Sequence, residues 1–156
     1  MTSVRVCFDS NAWISILENE EHADLISLGC WMDSVHRGDA TLLIPTIVIT
    51  EATVGKELTP LAQQMLEGIL LQTFVDTIDL TSAIAFHAAD LRRSVAQAKP
   101  KLKLKTPDAI VIASAIRANA DFIISTDKHV YRLNGFPGIK PVIGPPQTGL
   151  KQLGLI

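Results

Sequence analysis

Four carboxylates stand where a folded chain puts groups that do chemistry. Asp9 ends the run Val4-Arg5-Val6-Cys7-Phe8, whose residues favour or tolerate a strand, and Ser10 and Asn11 follow it at once. Asp127 ends a second such run, Phe122-Ile123-Ile124-Ser125, with Thr126 just before it. In open α/β sheets that carboxyl edge is where ligands bind. Asp108 falls in the first turn of an apolar helix, and Glu51 interrupts an apolar stripe. If the two strands are neighbours, all four acids can meet in one cleft. Each acid also has a plain structural role: Asp108 complements a helix dipole, and Asp9 and Asp127 suit turns or caps. Together they repel, and an anionic cluster in a partly dry cleft is costly unless neutralised. Divalent cations are the natural remedy, and an all-oxygen donor set suits Mg²⁺ or Mn²⁺ rather than Zn²⁺. Such ions bridge a phosphodiester, lower the pKa of a bound water and steady the leaving oxygen. Ser10, Asn11 and Thr126 are suited to hold a water or a phosphate oxygen.

The elements that must position these groups alternate. A short helix spans Ala12 to Leu17 with Ser10 or Asn11 as its cap, followed by the acids Glu18, Glu20 and Glu21. Ala23, Ile26, Leu28, Trp31 and Val35 predict a second helix ending near Gly38, and Thr41-Leu42-Leu43-Ile44 a strand stopped by Pro45. From Ile47 to Leu58 the sequence is ambiguous. Ile47-Val48-Ile49-Thr50 has strand propensity, whereas a helix capped near Thr46 sets Ile47, Glu51, Val54 and Leu58 on one stripe. Glu51 is then either at the rim of the core or recruited for chemistry. Pro60 to Leu71 reads as a helix and Phe74 to Leu80 as a half-buried or edge strand. Thr81 or Ser82 caps a long helix to about Gln97.

Thr106-Pro107-Asp108 is the clearest helix start, with Thr at N-cap, Pro at N1 and an acid in the first turn. The body after it, Ala109 to Ile116, is apolar nearly all round and should be central and buried. The strand Phe122–Ser125, a short helix from Lys128 to Leu133 and a final strand at Val142-Ile143 complete the pattern. This order predicts a three-layer α/β/α sandwich with a mostly parallel sheet of about five strands. One domain over residues 1–143 would carry it, with 144–156 as a C-terminal tail.

Bulk properties narrow the function. At 156 residues the chain can bury roughly two-thirds of its unfolded surface. Hydrophobic residues make up 47% and charged ones 19%, which argues against disorder. The net charge of −2 advertises no global affinity for nucleic acid, so any such activity needs a local patch. One exists: Lys99, Lys101, Lys103 and Lys105 put four lysines in seven residues leading into Asp108. They form either a solvated loop or a flexible basic arm contacting a nucleic-acid backbone, which Arg92 and Arg93 could extend. Arg93 also has Asp90 three residues before it as a helical partner. No apolar run reaches the ~20 residues of a spanning helix, and no leader pattern opens the chain, so a cytoplasmic location is expected. Cys7 and Cys30 then read as reduced structural thiols, and no Cys/His spacing fits zinc. His129 is an exposed polar residue or a proton shuttle, and Trp13 and Trp31 read as core or interface.

The order Phe8-Asp9-Ser10-Asn11, Glu51 in Thr-Glu-Ala, Pro107-Asp108-Ala109 and Ser125-Thr126-Asp127 resembles the PIN domain over about residues 4–143, most closely the VapC-type toxins. The resemblance implies a metal-dependent endoribonuclease that cuts RNA by water attack, forms homodimers and is covered by a cognate antitoxin. It implies Asp9, Glu51, Asp108 and Asp127 as catalytic metal ligands for Mg²⁺ or Mn²⁺, with Thr126 as a supporting hydroxyl. The chain departs from the family at Asp127-Lys128-His129-Val130, which lacks the further acid and aromatic common there. A non-catalytic PIN-like module binding RNA or protein is the alternative. A haloacid-dehalogenase-type phosphatase would need an acid where Asn11 stands. A receiver-type domain fits poorly with a single Asp closing the first strand.

Overall fold

The computed structural model describes residues 3–18, 23–54 and 60–156; Glu20, Glu21 and Leu58 lie outside them. The chain runs β1 (Val4–Phe8), α1 (Ser10–Glu18), α2 (Ala23–Arg37), β2 (Ala40–Pro45), α3 (Thr46–Thr53) and α4 (Pro60–Leu70). It continues through β3 (Val75–Ile78), α5 (Ser82–Ala98), α6 (Thr106–Arg117), β4 (Phe122–Ile124), α7 (Lys128–Tyr131) and β5 (Val142–Gly144). The five strands form one sheet in the order β3-β2-β1-β4-β5, every pairing parallel, within an α/β/α sandwich. All strand ends that precede a helix therefore share one edge. From β1 the chain moves outward through β2 and β3, then returns to lay β4 on the other side of β1. The crevice between β1 and β4 is thus the topological switch point, where such sheets bind ligands.

The ambiguous segment after Pro45 is helical. Pro45 closes β2, and Val48 and Ala52, four apart, turn inward from α3 while Glu51 is half-buried. Val54, expected on the inward stripe, is its C-cap and is exposed, and Ile26 of α2 is exposed as well. The helix α6 starts one residue earlier than predicted. Lys105 is the N-cap with no side-chain bond, so Thr106 is inside the helix rather than capping it. Its body from Ala109 to Ala115 is buried, as an all-round apolar helix must be. β3 is an edge strand, with Asp76 and Thr77 exposed.

The core centres on Trp13, Trp31, Phe8, Leu42, Leu43, Ile112 and Ile123, all fully buried. Trp31 stacks obliquely on Phe122 and donates from Nε1 to the Pro146 carbonyl at 3.0 Å. Residues after β5 therefore pack on the sandwich: Leu150 is fully buried, while Leu153 and Ile156 face solvent. Gly38 ends α2 with φ +83°, and a Cβ there would meet the Phe74 ring at 2.8 Å. Gly38→Ala should destabilise by about 1–2 kcal/mol from the left-handed backbone alone. In a thermal melt that is a fall of roughly 2–8 °C.

Candidate active site

Asp9 is held by the first bond beyond the β1–β4 ladder, its N–H donating to the Ile124 carbonyl at 3.0 Å. This places its carboxylate against the turn after β4. Ser125 Oγ donates to Oδ2 at 2.5 Å, and the Ala12 N–H donates to Oδ1 at 3.2 Å. Asp9 is therefore itself the cap of α1, a role the sequence alone gave to Ser10 or Asn11. Those two lie inside the first turn, and Ser10 Oγ donates instead to Glu51 Oε1 across to α3. On the other strand end, the Asp127 N–H donates to Ser125 Oγ at 3.0 Å, and Asp127 Oδ1 accepts from the His129 N–H at 2.8 Å. One serine hydroxyl thus joins the two strand-end acids.

Asp9 and Asp108 share a narrow crevice whose other walls are Val111, Ile112, Ile123 and Val130. Those apolar walls govern the electrostatics. Asp9 is only 4% exposed, and burial pushes its carboxyl up to about 7; the Ser125 and Ala12 hydrogen bonds oppose this, and Asp108 adds to it. Burial also raises Asp108, followed by repulsion from Glu51 and Asp127, with Lys105 opposing. Asp108 is therefore the hub: its field reaches Asp9, and Glu51 and Asp127 both act on it. The four acids are electrostatic neighbours but do not close on a point. Among the described residues no three His, Cys, Asp or Glu side chains are placed to hold an ion together. The reason is local. Asp9 spends both oxygens on internal donors, and Glu51 and Asp127 spend one each. The donor chemistry nonetheless fits a hard divalent cation, which would relieve a repulsion that these hydrogen bonds do not.

Two site residues escaped the sequence. Ser125, fully buried, is the hydroxyl bonded to Asp9, whereas Thr126 stands half-buried beside it. Alternation along β4 would have turned Ser125 inward. Tyr131, four residues after Asp127 on α7, has its phenol pushed up to about 12 by burial and then by Asp24, Asp9 and Asp127. His129 is exposed. Cys7 is buried, and its thiol is pushed up by burial and by Asp9, as a structural thiol's would be.

The basic loop is pinned rather than a free arm. Leu104 is buried, Leu102 packs on the core, and Arg92 Nε donates to the Leu104 carbonyl at 3.0 Å. Alternation then turns Lys101, Lys103 and Lys105 outward. Arg93 pairs with Asp90, the plain reading of that spacing. Among the described residues no helix is long and apolar enough to cross a membrane.

Residues 6–135 match the family model of the PIN domain, and the chain belongs to that family. Solved structures share its fold. VapBC2 from Rickettsia felis, bound to a DNA fragment from its promoter, aligns with a TM-score of 0.67 at 17% identity, covering 91% of this chain and 98% of that one. FitAcB from Neisseria gonorrhoeae gives 0.59 at 16% identity, over 92% and 99%. A toxin–antitoxin complex from Klebsiella pneumoniae gives 0.56 at 20% identity, over 90% and 97%. No curated protein matches the sequence.

The raised carboxyl of Asp9 has a signed consequence. A group whose folded value lies above its ordinary 3.8 favours folding in its protonated form. That contribution is complete below about pH 4 and is lost as pH rises through about 7. Asp9→Asn, which cannot ionise, should melt several degrees above the parent at pH 8, with the gain vanishing near pH 4. Melts across that range check both the size and the direction.

Proposed function

We propose that this chain is a divalent-metal-dependent endoribonuclease, the toxin of a toxin–antitoxin pair acting in the cytoplasm. The observation that carries the proposal is that Asp9 and Asp108 share one crevice at the β1–β4 switch point, with Glu51 and Asp127 close enough to act on Asp108. Asp9 and Asp108 would hold Mg²⁺ or Mn²⁺, with Glu51 and Asp127 completing the donors. When bound, the ion supplies a Lewis acid for the phosphodiester and lowers the pKa of the attacking water. The protein's own residues do the rest. Val111, Ile112, Ile123 and Val130 keep the crevice dry, which strengthens every charge interaction inside it. Ser125 fixes the Asp9 carboxylate, and Ser10 fixes that of Glu51. Asn11 and Thr126, half-buried at the same edge, would orient a water or a phosphate oxygen. The lysines from Lys99 to Lys105 would meet the RNA backbone.

The complexes that share the fold support an antitoxin partner, and a homodimer is proposed alongside it. Exposed Ile26, Leu61 and Met65 on α2 and α4 supply apolar surface for such contacts. One observation favours the non-catalytic alternative: three of the four carboxylates already have internal donors. The two readings separate cleanly. The enzyme should cut single-stranded RNA with Mg²⁺ or Mn²⁺ and stop with chelator, and Asp9→Asn or Asp108→Asn should lower turnover at least 100-fold while the fold is kept. RNA binding without cleavage under any divalent ion would establish the binding module instead.

A further inference from the structure

The nuclease reading leaves open where the RNA strand lies, and one feature outside the acidic crevice answers it. Lys99, Lys101 and Arg132 line a groove whose floor is Pro100 and Leu102. Two segments of chain link the groove to the acids. Arg132 is the C-cap of α7, the helix that Asp127 caps at its other end, so the two lie about 7 Å apart along its axis. On the other side, the pinned loop runs from Lys99 to Lys105, whose charge reaches Asp108. Six of the fourteen Lys and Arg residues fall between positions 92 and 105 in a chain of net charge −2, so the local field opposes the global one. Arg132 was not singled out by sequence, because it sits alone at the end of a short helix.

We infer that this groove, with Arg132 beside Lys99 and Lys101, grips the sugar–phosphate backbone of single-stranded RNA next to the bond that the acidic crevice would cleave. The inference rests on the nuclease reading and adds the strand's path to it. Guanidinium offers a planar fork to phosphate, and the two ammonium groups add point charges. Pro100 and Leu102 give an apolar floor for the ribose but no aromatic platform. Contact is therefore with the backbone rather than by base stacking, and it is tolerant of sequence. Arg92 and Arg93 are engaged locally, the first through Nε to the loop's own carbonyl and the second with Asp90.

The test uses the full chain and a fluorescent single-stranded RNA, with binding read by anisotropy in the Asp9→Asn background so that cleavage does not interfere. Adding Arg132→Gln, or Lys99→Gln with Lys101→Gln, should weaken binding about tenfold. The slope of log affinity against log salt should flatten by about 0.7 for each phosphate contact removed. Arg132→Lys should recover part of the loss. In the active protein, Arg132→Gln should raise KM more than it lowers kcat. Unchanged affinity and salt slope in variants that melt normally would overturn the groove, even if Asp9 proves essential for cleavage. So would saturable binding of a mononucleotide there with none of the oligonucleotide. Loss of RNA binding in these variants, from a protein that never cleaves RNA, would support the groove and remove the nuclease reading instead.

Discussion

The parallel pairing of β1 with β4 is the constraint from which the site follows. It is a non-local contact between strands more than a hundred residues apart, and it sets Asp9 against Ser125 with no freedom to move away. Burial among β4, α6 and α7 then makes the ionised carboxylate costly. The protein offsets that cost with two hydrogen bonds to Asp9 and leaves a remainder. Asp108 enlarges the remainder rather than relieving it. A carboxylate left under such strain is a mark of a functional site rather than of a purely structural one.

Ser125 couples the two strand ends in a way pairwise proximity does not. Its hydroxyl accepts from the Asp127 backbone and donates to Asp9, so the turn that positions Asp127 also fixes the Asp9 carboxylate. Asp127 in turn caps α7, which carries Tyr131 and ends at Arg132. Ser125, Asp127 and Arg132 thus connect the Asp9 carboxylate to a surface guanidinium within the eight residues from 125 to 132. Hydrogen bonds linked in this way strengthen one another in a low-dielectric setting.

Much of this was legible in the sequence because period and punctuation carried it. Alternating strands and helices gave the sandwich, the all-apolar run after Asp108 gave the central helix, and the alternating Phe74–Leu80 segment gave the edge strand. What escaped did so for physical reasons. The cap of α1 shifted to Asp9 because adjacent Asp, Ser and Asn side chains can all reach a helix N-terminus and only tertiary contacts choose among them, whereas α6 has Lys105 at its N-cap without any side-chain cap bond. Glu51 was undecidable while β-branched residues around it favoured a strand and its spacing favoured a helix. Burial of Val48 and Ala52 settled that contest. The lysine run looked free because its charge hid the period-2 burial of Leu102 and Leu104. Tyr131 and Arg132 carried no motif. Their importance comes from where α7 sits, which no local window contains.

The sheet itself has a bearing on how copies of this protein can meet. Its two borders are β3 and β5, four and three residues long, and the β3 border presents Asp76 and Thr77 to solvent. Strands so short give a neighbouring chain little unpaired backbone to align with, and the β3 border is polar as well. Growth of the sheet across a molecular boundary is thereby discouraged, which leaves the helical shell as the surface where side-chain shape, rather than generic backbone pairing, would decide any contact.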